Sequence, residues 1–315
     1  MKALVTGVAG FVGSAIARAL IARGDSVVGI DSITDYYDED LKRANLRSIG
    51  SERFAFHEED LNDSPLSDRL HGVDYVFHEA GQPGVRMSWG KEFGIYVRAN
   101  VEATQKLLEA AKGSSGLKKL VYASSSSVYG NAESYPTTED MKPQPVSPYG
   151  VTKLAAEHLT TLYALNFGVP TVSLRYFTVY GPGQRPDMAF TRFTRAAVVG
   201  DQINIFGTGE QIRDFTFIDD VVQANLMAAD SDVSGGTALN VAGGSNVSMN
   251  QVVGILEELS GGAVRVNRGA PVAGDVFRTS GSTQKISEQI GWRAAVTLEE
   301  GLERHYRWAQ QVFGS

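Results

Sequence analysis

The sequence predicts a doubly wound α/β fold, a mainly parallel sheet flanked by helices, with a smaller lobe interleaved toward the C-terminus. Three observations predict it. Short apolar runs (KALVTG, SVVGID, VDYVFHEAG, KKLVYASSS, TVSLRYF) alternate with amphipathic helical stretches, the pattern of successive βαβ units. A glycine-rich turn, TGVAGFVG, links the first run to the first helical stretch. The chain has 315 residues and 43% apolar content, enough to bury one large domain with an appended lobe.

Taken in order, the first strand enters the glycine turn and a helix follows from about Gly13 to Arg23. The second strand ends at Asp31. The run closing on HEAG precedes a helix through Asn100 to Lys112, and KKLVYASSS supplies a further strand. A helix from Pro148 to Phe167 begins with Ser147 as N-cap and proline at its first position, a strong start signal. TVSLRYF is the next strand. After Tyr180 the Gly/Pro-rich GPGQRP opens a less regular region, yet RDFTFIDDVVQANLMAA and ALNVAGG again read as sheet-associated elements. The expected division is a dinucleotide-binding domain at 1–179 with returning segments about 214–242, and a second lobe at about 180–213 and 243–315. Ligands in such sheets bind in the crevice beyond the carboxyl ends of the strands.

Composition removes several function classes. A formal charge of −7 and a pI near 5.3 argue against a nucleic-acid binder, which needs a basic surface. The chain has no cysteine, which excludes disulfides, thiolate metal sites and a cysteine nucleophile, and points to a reducing cytoplasm. Neither a signal-peptide pattern nor an apolar run long enough to span a bilayer is found, so no membrane partner is expected. His57, His71, His78, His158 and His305 have no ligand spacing and read as structural or surface residues, so no metal is expected.

The glycine turn places Gly7, Gly10 and Gly13, with Phe11 and Val12 between the last two, where backbone N–H groups can approach a pyrophosphate. A glycine-rich turn without ligand is the bland alternative. Asp31, at the end of the second strand, strengthens the dinucleotide reading. Its carboxylate accepts from both ribose hydroxyls and repels a 2′-phosphate, which favours NAD over NADP. Ser32 follows it. Asp60 and Leu61 are expected near the adenine, and Ala80, Gly81 and Gln82 near the pyrophosphate and nicotinamide ribose.

SPYGVTK carries Tyr149 and Lys153 at i and i+4, on one helical face. A phenol with a reference pKa of about 10 is a poor base at neutral pH unless positive charge favours its ionised form; Lys153 and the nicotinamide ring are expected to supply that charge, and Lys153 also to hold the nicotinamide ribose, so that Tyr149 and Lys153 count with the cofactor site as well. Ser125, at the end of a preceding strand, is expected to hold the substrate hydroxyl that Tyr149 deprotonates.

Together, TGVAGFVG, Asp31, HEAG, SSSSVYG, YGVTK, LRYFTVYGPGQRPDMA and GEQIRDFTFIDDV resemble the extended short-chain dehydrogenase/reductase family of nucleotide-sugar epimerases over nearly the whole chain. The resemblance implies a Rossmann-like domain with a C-terminal substrate lobe, NAD as cofactor, a UDP-sugar as substrate and a homodimer built on a four-helix bundle. It places Ser125 in the catalytic set, Asn100 near the cofactor at the start of its helix, and Tyr176 and Phe177 beside the nicotinamide. It makes Arg213 a phosphate arginine and puts Asp275, in a GDV motif, near the nucleotide sugar. Gln82 is shared between cofactor and substrate.

Family members oxidise sugar C4 and then diverge. Relatives with STDEVYG dehydrate and those with STSEVYG decarboxylate, whereas this chain carries Ser126 and Ser127 in place of the acids. C4 epimerisation is the expected outcome. DSITDYYDEDLKRANL and GQPGVRMSW resemble stretches of UDP-glucuronate 4-epimerases, and Ser126, Ser127 and Thr178 are expected to hold a carboxylate with help from Arg86 or Arg185. UDP-glucose 4-epimerisation is the alternative. A decarboxylase, or an NAD-binding sensor without catalysis, follows further behind.

Overall fold

The computed structural model describes residues 1–262, 264–270 and 276–314. Its strands are β1 (Lys2–Thr6), β2 (Ser26–Asp31), β3 (Phe54–Glu58), β4 (Tyr75–His78), β5 (Lys119–Ser125), β6 (Thr171–Tyr176), β7 (Thr178–Tyr180), β8 (Ile203–Phe206), β9 (Ile212–Phe217), β10 (Thr237–Val241), β11 (Ser245–Ser248) and β12 (Val266–Gly269). Seven of them form one parallel sheet in the order β10-β6-β5-β4-β1-β2-β3. The order reverses between β1 and β4, and the crevice beyond their carboxyl ends is where a doubly wound sheet receives its ligand.

Both faces of this sheet are covered, which is why its strands read as continuous apolar runs rather than alternating ones. Ala3, Val5, Phe77 and Val121 pack on one side with the helices Phe11–Arg23 and Ile218–Ala229. Leu4, Val76, Leu120 and Tyr122 pack on the other with Ala103–Lys112 and Pro148–Phe167. The first core continues without interruption into the second lobe through Tyr180, Phe190, Phe215, Phe217 and Trp292. The Phe190 and Phe215 rings lie 4.3 Å apart.

The lobe holds a three-stranded sheet, β11-β9-β7, and a pair, β12-β8. Thus Thr178–Tyr180 and Ile212–Phe217 pair with each other, while 218–241 returns to the main sheet as a helix and its edge strand β10. The chain crosses between the main sheet and the lobe three times, which interleaves them.

Two helices begin earlier than the sequence predicts. The first starts at Phe11, with Gly10 as its N-cap and the Gly10 N–H bonded to the Gly7 carbonyl at 3.0 Å, so the glycine turn and the first helical turn are one structure. The helix expected from Asn100 starts at Phe93 and runs through a π-helical stretch, Val97–Glu102, before Ala103–Lys112. Asn100 therefore sits inside a widened turn rather than at a helix start. Such π turns recur at functional sites because they rotate a side chain out of the regular ladder. The Pro148–Phe167 helix matches its expected bounds: Ser147 Oγ accepts from the Gly150 N–H at 3.1 Å and Gly168 closes it in the left-handed conformation.

Candidate active site

A cavity of about 620 Å³ opens at the carboxyl ends of the main sheet and reaches from the glycine turn to the start of the Pro148–Phe167 helix. Gly7, Gly10, Phe11, Val12, Gly13, Asp31, Ser32, Asp60, Leu61, Ala80, Gly81 and Gln82 line one part, and Ser125, Ser126, Ser127, Tyr149, Lys153, Tyr176, Phe177, Thr178 and Arg185 the other. Residues far apart in the chain meet because each sits at a strand end on the same edge of the sheet.

The glycines are required by space. Gly7 has φ +66°, and a Cβ there would lie 2.7 Å from the Ala80 nitrogen; at Gly13 it would lie 2.3 Å from the Gly7 carbonyl oxygen. With no side chains intervening, the amides at the helix start face the cavity. Asp31 accepts from the Ala9 N–H at 3.0 Å and the Ile33 N–H at 2.9 Å, and burial pushes its carboxyl up against those bonds. It is thus fixed at the cavity wall. Asp60, also at the cavity wall, pairs with Arg98 at 3.0 Å and accepts from the Asn62 N–H at 2.8 Å.

Asn100 stands behind the lining. Its Oδ1 accepts from the Gln82 N–H at 2.7 Å and its Nδ2 donates to Thr152 Oγ1 at 3.0 Å, which ties the Gly81–Gln82 segment to the catalytic helix. It holds the cavity-lining Gly81–Gln82 segment, next to the expected cofactor position.

β5 ends at Ser125, whose Oγ accepts from the Ser127 N–H at 3.1 Å and so caps the short helical turn Ser126–Val128. This turn approaches the catalytic helix closely: a Cβ at Gly150 would lie 2.6 Å from the Ser127 carbonyl oxygen. Ser125 is thereby brought against Tyr149. Burial pushes the Tyr149 phenol up, while its hydrogen bond with Ser125 and the guanidinium of Arg185 pull it down. The Tyr96 ring meets Tyr149 edge-on with centroids 6.3 Å apart.

Lys153 is buried, its Nζ donating to the Ala123 carbonyl at 2.7 Å. Burial lowers it to about 8, with Glu79 acting in the opposite sense. Arg185 is a cation that favours the ionised Tyr149 phenol in this structure, in addition to the Lys153 expected from the spacing. Lys153's ammonium is drawn onto the end of β5. Arg185 is itself held by Asp187 through two bonds of 3.0 Å, and this carboxylate keeps the guanidinium charged against the burial that disfavours it.

Two further arginines expected in the site make contacts with second-lobe residues. Arg86 is exposed and stacks its guanidinium over the Phe206 ring at 4.4 Å; Arg213, on β9, donates to the Ile212 and Phe277 carbonyls at 3.0 and 3.2 Å. Asp275 lies outside the described residues. The sequence reading passed over Tyr36, Tyr37, Lys42, Glu79 and Arg98, which also line the cavity. Glu79 was legible as the odd acid in HEAG; the others reach the cavity only through the fold.

A parallel sheet with a glycine turn at its switch point, an acid closing β2 and a Ser-Tyr-Lys set beside them defines a dinucleotide-dependent enzyme acting on a hydroxyl. The chain belongs to the NAD dependent epimerase/dehydratase family, whose profile matches residues 3–242. It is 38% identical over 315 residues to an uncharacterized UDP-glucose epimerase, YtcB, of Bacillus subtilis (strain 168), covering 99% of both chains. It is also 38% identical over 314 residues to a UDP-glucuronate 4-epimerase of Thermodesulfobacterium geofontis (strain OPF15), covering 98% of this chain and 96% of that one. Among solved structures, UDP-glucuronic acid 4-epimerase from Bacillus cereus in complex with UDP-glucuronic acid and NAD superposes with a TM-score of 0.95 at 42% identity, over 99% of this chain and 100% of that one.

Proposed function

We propose that this protein is an NAD-dependent UDP-sugar 4-epimerase that interconverts UDP-glucuronate and UDP-galacturonate. The observation that carries the choice of sugar is the hydroxyl cluster Ser126, Ser127 and Thr178, which lines the cavity beside Ser125 and Tyr149; Ser126 and Ser127 stand in the stretch where dehydrating and decarboxylating relatives place an acid.

The residues fit the dinucleotide: the tight glycine turn, which has no room for a Cβ at Gly7 or Gly13, opens the helix start to a pyrophosphate, and Asp31 suits an unphosphorylated ribose. Bound there, NAD supplies reversible two-electron oxidation at C4 of the sugar. Tyr149 takes the C4 hydroxyl proton, with Ser125 orienting that hydroxyl, and later gives the proton back when the ketone is reduced on its other face. Arg185 favours the ionised phenol. Ser126, Ser127 and Thr178 donate to the C5 carboxylate and hold it near the plane of the C4 ketone. The bond to the carboxyl carbon is then out of line with the carbonyl π system, and carbon dioxide is retained.

Incubation of purified protein with UDP-glucuronate and, separately, UDP-glucose at equal concentration tests this by proton NMR of the anomeric signals. UDP-galacturonate without pentose product is expected, and preference for the neutral sugar overturns the carboxylate assignment. UDP-glucose is the second reading, favoured by the full-length similarity to YtcB.

The second lobe at about 180–213 and 243–315 completes the nucleotide-sugar site in this reading. A homodimer follows from the apolar face that Val151, Leu162 and Leu165 leave exposed on the Pro148–Phe167 helix. Among the described residues no helix is long and apolar enough to cross a membrane. With a cysteine-free chain and a nucleotide substrate, the proposed setting is the cytoplasm.

A further inference from the structure

Glu79 follows β4 at the point where the sheet order reverses, and it lines the cavity near Lys153. Its backbone is pinned by the glycine turn, since a Cβ at Gly7 would lie 2.9 Å from the Glu79 carbonyl carbon. Its carboxyl is oriented from two other elements. The Tyr176 hydroxyl, at the end of β6, donates to Oε1 at 2.9 Å, and Asn225 Nδ2, from the Ile218–Ala229 helix, donates to that hydroxyl at 2.8 Å. No step of the proton transfer through Ser125 and Tyr149 uses this acid, yet a buried carboxyl held this firmly has a cost that a neutral side chain would avoid.

We propose that Glu79 is a positioning residue that sets the redox poise of the bound dinucleotide: its carboxylate, fixed in the cavity wall by Tyr176 and Asn225, favours the cationic oxidised nicotinamide over the neutral reduced one. The inference rests on the reading of this cavity as an NAD site. When C4 is oxidised, two electrons and one hydrogen nucleus pass to the nicotinamide and the hydroxyl proton passes to Tyr149, so the ring loses its positive charge. A nearby carboxylate opposes that loss. In a reaction with no net redox change this keeps the resting enzyme oxidised and limits escape of the ketone from a reduced enzyme.

The effect depends on pH. Burial pushes Glu79 up to about 7, against its bond with Tyr176 and the charge of Lys153. The groups facing it are Lys153 from the catalytic helix, Tyr122 and Tyr176 from β5 and β6, and uncharged Asn225; its neighbour His78 is held neutral by burial. Both phenols stay protonated, so between about pH 5.5 and 8.5 Glu79 and Lys153 are the pair that titrates. Comparison with Glu79→Gln at each pH separates the two.

Wild type and Glu79→Gln are each equilibrated by dialysis against equimolar NAD and NADH, and the bound ratio is read by chromatography after denaturation. At about pH 8.5 the Gln variant should hold about tenfold more NADH relative to NAD than wild type, falling to within about twofold at about pH 5.5. Equal ratios at the higher pH, or a difference of the same size at both, overturn the proposal. Wild type alone gives a second measurement. Its bound NADH fraction should rise as the pH falls from about 7.5 to 5.5, where Lys153 stays largely charged, and a flat profile overturns the proposal. The readout needs no sugar, so an error in the substrate assignment leaves it intact.

Discussion

Tyr149 sits in the cavity wall with Ser125 on one side and Arg185 within electrostatic reach, while Lys153 is committed to a backbone carbonyl. Two outcomes follow at this scale. Tyr149→Phe should keep its melting temperature and lose about a thousandfold in turnover, the usual worth of a positioned general base; near-normal kcat would remove its role. Arg185→Ala takes away a charge that favours the phenolate, so the phenol's pKa rises and the acidic limb of the kcat/KM profile should move to higher pH. An unmoved limb would mean that Arg185 does not act on Tyr149. Ser125, Tyr149 and Lys153 were legible because residue type and spacing encode them. Tyr36 and Lys42 were not, because nothing local in the sequence says which side of a loop or helix faces the cavity.

Among elements, the glycine turn and the π-helical stretch carry the cofactor wall. Gly13→Ala puts a Cβ 2.3 Å from the Gly7 carbonyl oxygen, which the turn can relieve only by moving. The expected result is a loss of about 1–3 kcal/mol in stability and of NAD retention together, measured by thermal unfolding and by cofactor content after gel filtration. Asn100→Ala leaves the Gln82 N–H without its acceptor and frees that segment from Thr152. It should weaken NAD binding more than it lowers kcat at saturating NAD, as shown by titration; the reverse pattern would place Asn100 in the chemistry. Strand runs and the Pro148–Phe167 helix were readable from apolar patterning and caps. The early start of the helix preceding Lys112 was not, since Phe93–Glu102 lacks a cap and its π turn is set by packing against the catalytic helix.

For the molecule as a whole, two buried histidines tie stability to pH. His78 lies between Thr6 Oγ1 at 2.8 Å and Thr104 Oγ1 at 2.9 Å, His305 is buried in the second lobe's core, and burial lowers both to about 3. Their folded pKa values are below the ordinary value near 6.5, so the stability that the neutral rings lend is present above about pH 6.5 and is lost as the pH falls toward 3. Thermal melts across that range should show a steep decline, shallower in His78→Gln. The association state tests the exposed helix face: Leu162→Glu with Leu165→Glu should convert a dimer to a monomer in light scattering, and an unchanged mass would place the interface elsewhere.

By itself the sequence determined the βαβ order, the glycine turn, the acid that closes β2 and the Ser-Tyr-Lys set, because each rests on local periodicity, a cap or a fixed spacing that the backbone translates directly into geometry. Tertiary structure alone decided that Arg185 reaches the phenol, that Asn100 braces Gln82 and that Glu79 lies near Lys153. Those outcomes depend on how strand ends from distant segments meet at one edge of a twisted sheet, and side-chain direction at such an edge is fixed by packing across the layers rather than by neighbours in the chain.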